Sequence, residues 1–266
     1  MQRMLLLAGL LALLATTDGA VAQPVPGCTG DAAHWVKGGR DTCIVLRGYG
    51  PARAQVLIVM LHGDVSGGGP ARYHFPWAER MAAEVAGAAS FALVRPGYED
   101  ADRNVSGGSN NNRNDHYTAA NMEIMAGAIA ALRQRTGARL VLAVGHSGGA
   151  ATVANILALH PGTIDRAILL SCPCDLVRWR VGRRPWTLSV SPIDGADRVP
   201  AGTRLVALTG ADDDNTRPEL AERYVARLVA RGVQARAVTV PGAGHNSLDA
   251  LWAGGWRAAV IELARP

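Results

Sequence analysis

Hydrophobic positions along this chain follow two alternating rhythms. Nearly unbroken apolar runs of strand length recur at Gln55–Leu61, Ser90–Arg95, Arg139–Val144, Arg166–Ser171, Arg204–Thr209 and Gln234–Val240. Between them, Phe75–Ala86, Asp115–Gly137, Gly148–Leu159, Pro218–Ala230 and Leu248–Leu263 read as helices. A strand that is apolar throughout is covered on both faces, so the alternation predicts an α/β fold with a mostly parallel central sheet between helices. In the second helix Met122, Met125, Ile129 and Leu132 keep the helical spacing, Asp115 is the expected N-cap and Gly137 the expected C-terminal glycine. The stretch 172–200 has no clear period and carries Trp, Arg and Pro, which predicts a cap or lid inserted after a strand.

The N-terminus follows a different rule. Arg3 precedes an apolar run, Met4–Ala15, and Ala20-Val21-Ala22 fits a small-x-small cleavage site. The pattern predicts a secretory leader over 1–22, cut after Ala22, and one domain over 23–266, secreted or periplasmic. The run is shorter than the roughly 20 residues that span a bilayer, and no later one is longer, so no stable membrane insertion is expected. Twin arginines are absent, and Val25-Pro26-Gly27 before Cys28 makes a poor lipid-attachment site. Export permits disulfides among Cys28, Cys43, Cys172 and Cys174, which allow three pairings. Nearness favours Cys28–Cys43, stapling the mature N-terminus to a first hairpin; Cys172 and Cys174 then form a tight loop or stay free. No further ligands stand at zinc spacing, so no metal is expected.

Charge adds less. The net charge is +5, almost all from arginine, with Lys37 the only lysine. The densest basic patch is Arg178, Arg180, Arg183 and Arg184 beside Trp179 and Trp186. No nucleic-acid motif accompanies it, and a solvated excursion near the mouth of a site is the favoured reading over a nucleic-acid surface.

Ligands of parallel sheets gather at the carboxyl ends of the strands, and the residues with chemistry fall there. Gly145-His146-Ser147-Gly148-Gly149 follows one apolar run and opens a helix. G-x-S-x-G in that context is a nucleophile turn: the backbone bends sharply, small residues avoid clashes, and the hydroxyl stands above a helix N-terminus. His245 lies in a glycine-rich loop after the last strand and is the expected general base. Asp212, Asp213 and Asp214 follow the strand before it. Asp213 is preferred as the acid that orients the imidazole, with its neighbours as alternates. The run His62-Gly63-Asp64 ends the first long strand before a glycine-rich turn, and the amides of Asp64 and Gly148 are the expected oxyanion donors, with Ser66 a further contributor. The Lys and Ser/Thr of a P-loop are missing, so a phosphate cradle is discounted.

Taken together, Leu61-His62-Gly63, Gly-His-Ser-Gly-Gly, the loop Gly210–Thr216 and Gly-His-Asn-Ser resemble the α/β-hydrolase superfamily, in particular its esterase and prolyl-oligopeptidase-like peptidase branches. The resemblance implies an α/β-hydrolase fold and gives Ser147, Asp213 and His245 the triad roles, in the chain order Ser…Asp…His. It implies acyl transfer to water with no cofactor. Two features depart from these branches: no propeller domain precedes the catalytic part in this sequence, and His62-Gly63-Asp64 is not HGGG. Arg95, Tyr98, Arg103 and the Trp179–Trp186 segment are expected to line or cover the pocket, where arginines would suit an acidic group as readily as solvent. A carboxylic ester is the favoured substrate. A short peptide is the first alternative, and an inactive secreted binding protein on the same fold is the second. The sequence leaves the oligomeric state open.

Overall fold

The structure is a computed structural model and describes residues 27, 28 and 30–265; the expected leader over 1–22 lies outside the described residues. Eight strands form one sheet: β1 (Trp35–Lys37), β2 (Cys43–Tyr49), β3 (Val56–Leu61), β4 (Ala89–Leu93), β5 (Leu140–His146), β6 (Arg166–Leu170), β7 (Arg204–Gly210) and β8 (Gln234–Val240). Their spatial order is β1-β2-β4-β3-β5-β6-β7-β8. β2 pairs antiparallel with β1 and β4, and every pair from β4 to β8 is parallel. The six apolar runs fall on the six parallel strands, with ends shifted by one or two residues. The anticipated first hairpin is β1 paired with β2, of which β1 is only three residues long.

Each central strand is buried on both faces and divides its side chains between two cores. From β3, Leu57, Val59 and Leu61 face one core; Val56, Ile58 and Met60 face the other. The first core is closed by α2 (Ala119–Thr136), α3 (Gly148–Leu159) and α5 (Pro218–Ala230), and the second by α1 (Phe75–Glu84), α6 (Leu248–Leu251) and α7 (Arg257–Leu263). Every buried methylene contributes about 0.8 kcal/mol, so a sheet apolar on both faces holds its register firmly.

Two local expectations need correction. Asp115 does not cap α2; Thr118 does, its hydroxyl accepting from the Asn121 amide at 3.2 Å. The Asp115 carboxylate instead accepts the amides of Thr187 (2.7 Å), Leu188 (3.0 Å) and Ser189 (2.9 Å), and so pins the inserted segment to the loop before α2. The expected C-terminal helix Leu248–Leu263 is broken by a π-turn over Trp252–Trp256, where Gly255 takes φ 138°. An ideal Cβ on Gly254 would lie 2.4 Å from Val240 Cγ1, so the helix passes β8 closely and only glycine fits.

Both short-range cysteine pairs are closed, Cys28–Cys43 and Cys172–Cys174. The first ties the chain before β1 to β2. The second begins the inserted segment, which continues through a helical turn, α4 (Leu176–Trp179), and a 3₁₀ turn, Pro192–Arg198. Among the described residues no helix is long and apolar enough to cross a membrane.

Candidate active site

Ser147 ends β5 and begins α3 with φ 54° and ψ −118°, a left-handed conformation that costs a non-glycine residue about 1–3 kcal/mol. The surroundings hold it there. Its amide donates to the Leu170 carbonyl at 2.8 Å. A Cβ on Gly149 would meet the Leu61 carbonyl oxygen at 2.2 Å, and one on Gly145 would meet that of Gly149 at 2.3 Å. The two glycines let strand and helix approach closely enough to turn the serine outward.

Three remote loops converge on that hydroxyl. His245 Nε2 lies 3.0 Å from Ser147 Oγ, and its Nδ1 lies 2.9 and 3.1 Å from the two Asp213 oxygens. Asp213 Oδ1 also accepts the amides of Thr216 (2.7 Å) and Asn215 (3.1 Å), and Oδ2 accepts from the Thr216 hydroxyl at 2.9 Å. The Asp213 side chain is fully buried, whereas Asp212 and Asp214 face solvent. Burial alone would raise the Asp213 carboxyl, but the bond and charge of His245 and the Thr216 amide outweigh it and hold it below the usual carboxylate range. Chemically, this is a hydroxyl beside a base whose tautomer is fixed by a buried anion.

Tyr73 and His146 complete the frame, an arrangement with no local sequence signal. Burial pulls His146 down to about 4, so its ring is neutral near pH 7. A carbonyl can only accept, so His146 Nε2–H donates to the backbone oxygen of His245 at 3.0 Å. Nδ1 is then the acceptor for the Tyr73 hydroxyl at 2.7 Å, and the tyrosine oxygen in turn accepts the Gly63 amide. One run of hydrogen bonds thus joins the loop after β3, the turn at Ser147 and the His245 loop. Local spacing could not show it, because residues 73 and 146 meet only through the pairing of β3 with β5.

The amides of Asp64 and Gly148 have no protein acceptor among the described residues. The side chain of Asp64 is engaged elsewhere. Its Oδ1 accepts from Arg95 at 2.8 Å and its Oδ2 from the Tyr117 hydroxyl at 2.6 Å, while Tyr98 donates to its carbonyl at 2.8 Å. Burial would raise the Asp64 carboxyl, but Arg95, His116 and Tyr117 hold it far below the usual range. A Cβ on Gly148 would lie 2.0 Å from Asp64 Oδ1, so glycine at 148 makes room for this cluster as well as for the turn.

This corrects the expected substrate contacts. Arg95 (2% exposed) and Tyr98 (1% exposed) lie beneath the loop after β3 and brace it rather than line the pocket. Arg103 is not on the wall of the cleft either. Trp179 is, together with Trp186, Arg180 and Arg183 of the inserted segment. Opposite stand Val65–Gly68 and Arg113, and the cleft between them encloses about 780 Å³ above Ser147 and His245.

The Asp64–Arg95 pair should be worth more to the fold than any surface pair. Asp64→Asn leaves one oxygen for two donors and an uncompensated guanidinium in the interior, so we expect a loss of about 3–5 kcal/mol in urea unfolding at pH 7. The depressed carboxyl stabilises the fold fully above its unfolded pKa of about 3.9 and stops doing so as pH falls through the folded value. The gap between wild type and variant should therefore be flat from about pH 5 to 8 and narrow only in stronger acid. A gap under about 1 kcal/mol would show that the pair is not the brace described.

Comparison with known proteins agrees with this architecture. Residues 187–264 match the model of the prolyl oligopeptidase family, a region that holds Asp213 and His245 but not Ser147. No curated protein matches the chain in sequence. Among solved structures, the esterase Pf2001 of Pyrococcus furiosus superposes with a TM-score of 0.66 at 14% identity, over 86% of this chain and 89% of that one. Est1E from Butyrivibrio proteoclasticus, solved with ferulic acid bound, gives 0.65 at 16% identity, over 86% and 97%. Dipeptidyl peptidase 4 of Porphyromonas gingivalis gives 0.65 at 16% identity over 86% of this chain, which spans only 35% of that peptidase. Eight strands in this order, a strained serine between strand and helix, and these likenesses give the chain the α/β-hydrolase fold.

Proposed function

We propose that the protein is an exported esterase that works through an acyl-enzyme on Ser147. His245 takes the serine proton as Oγ attacks the substrate carbonyl, and the amides of Asp64 and Gly148 receive the developing oxyanion. Asp213 stabilises the imidazolium, which then protonates the leaving group. Water repeats the cycle on the acyl-serine and releases the acid. The observation that carries this reading is the 3.0 Å approach of His245 Nε2 to Ser147 Oγ with Asp213 bonded behind the ring. Two disulfides fit an oxidising compartment and the leader read from the sequence.

Ester is favoured over amide because Pf2001, of which the chain covers 89%, is named as an esterase. The prolyl oligopeptidase match supports a second reading, cleavage of short peptides by the same residues. A fluorophosphonate probe should label the mature protein on Ser147, and p-nitrophenyl acyl esters should be turned over faster than aminoacyl or dipeptidyl p-nitroanilides. Failure to label would point to a binding protein, and faster cleavage of the anilides to the peptidase.

A further inference from the structure

The cleft above Ser147 carries positive charge that the protein itself does not neutralise. Among the described residues no carboxylate lies within ion-pair distance of Arg113, Arg180 or Arg183, whereas Arg95, Arg204 and Arg236 each hold one. The acids facing the cleft do little to offset the excess. Asp64 is taken by Arg95 and Asp213 faces His245, which leaves Asp214, exposed at the rim.

The guanidinium groups are also held in place. Arg180 Nε donates to the Arg184 carbonyl at 2.9 Å, and its guanidinium sits 5.2 Å from the ring centres of both Trp179 and Trp186. Its two terminal amino groups have no protein acceptor among the described residues, and they form the fork that a carboxylate accepts with both oxygens. Arg183 Nη1 donates to Asn215 Oδ1 at 3.1 Å, and Asn215 Nδ2 lies 3.3 Å from His245 Nε2. The positive wall thus begins one side chain away from the base. Arg113 faces it from the other side, tied to the carbonyls of Val65 and Gly69 and stacked 5.3 Å from the Tyr98 ring. Guanidinium groups fixed beforehand bind an anion without the entropy loss of ordering them.

We propose that the substrate carries a carboxylate a few bonds from the scissile carbonyl, bound by Arg180 and Arg183 with Arg113 adding to the field. This rests on the ester-hydrolase reading and narrows it to esters of an acidic acyl or leaving group. Four matched esters test it on the mature protein. For the acyl side they are p-nitrophenyl hexanoate and the p-nitrophenyl monoester of adipic acid; for the leaving side, 4-carbamoylphenyl and 4-carboxyphenyl butyrate. In at least one pair the anionic member should have a kcat/KM higher by about tenfold or more at low salt, mostly through KM, and the preference should shrink as added salt shortens the screening length. Arg183→Gln, at an exposed position, should lower that ratio, and Arg180→Gln with Arg183→Gln should bring it near one. Arg257→Ala, at a distant pair with Glu84, should leave it as in wild type.

Equal or better turnover of the neutral member in both pairs overturns the proposal, as does a preference that survives in the double variant. Calorimetric binding of the same esters to Ser147→Ala protein reads the anion site without turnover. A protein that hydrolyses none of the four yet binds the anionic ester more tightly supports the anion site while refuting the hydrolase reading. One that binds both members alike refutes the anion site.

Discussion

Ser147→Ala protein should hydrolyse its best ester on the order of 10⁴-fold or more slowly than wild type, with its melting temperature little changed. The substitution removes one atom, Oγ, and leaves the bond from the residue 147 amide to Leu170 and the glycines that form the turn. The left-handed conformation at this position is set by that backbone, so alanine bears the same strain as serine and the fold has no reason to change. What is lost is the only hydroxyl within 3.0 Å of His245 Nε2 among the described residues. Residual turnover would come from water held by the same imidazole and amides. Steady-state rates, a melting curve and loss of fluorophosphonate labelling check this together. A variant within about tenfold of wild type would mean that another group attacks the carbonyl.

Asp213→Asn should come close to the same loss, about 10⁴-fold in kcat, without unfolding the protein. The reason lies in which atoms surround the carboxylate. Oδ1 accepts two backbone amides, from Thr216 and Asn215, so the carbonyl oxygen of an asparagine must take that side. Its amino group then occupies the place of Oδ2 and points a proton at His245 Nδ1. Thr216 tolerates this, because its hydroxyl can turn its single proton from the carboxylate to the Ser171 carbonyl, 3.0 Å away, and accept from the new amino group. His245 does not tolerate it. With Nδ1 forced to accept, the ring proton moves to Nε2, which then faces Ser147 Oγ as a donor and cannot take its proton. The variant should fold and melt nearly as wild type while its ring holds the wrong tautomer, visible as a shifted imidazole proton in NMR spectra. Asp212→Asn and Asp214→Asn, at exposed positions, should leave the tautomer alone. If Asp213→Asn kept more than about a tenth of wild-type kcat, the orienting acid would have to be sought elsewhere.

The legible parts of the site share one property: their signal is local. The turn at Ser147 needs small residues two positions either side, and Gly145 and Gly149 stand there. His245 was found because it follows a strand in a glycine-rich loop. Arg95 and Tyr98 misled for the same reason. They do follow β4, but the rule that ligands gather at strand ends does not say whether a side chain points into the cleft or beneath it. Burial beneath the loop after β3 decided that, and gave Arg95 to Asp64. Asp115 shows the same limit. An acid before a helix reads as a cap, yet its carboxylate is taken by three amides more than seventy residues away.

By itself the sequence determined the alternation of buried strands and helices, the sharp turn that carries Ser147, and the order in which serine, acid and histidine arrive. Each of these is written in spacings of a few residues, where backbone geometry and side-chain period act directly. Only the tertiary structure decided that Asp213 rather than its neighbours turns inward, that Tyr73 and His146 tie three loops together, and which arginines remain unpaired over the cleft. Those outcomes depend on sheet register and on competition for buried hydrogen-bond partners between residues tens of positions apart, and no local pattern encodes that competition.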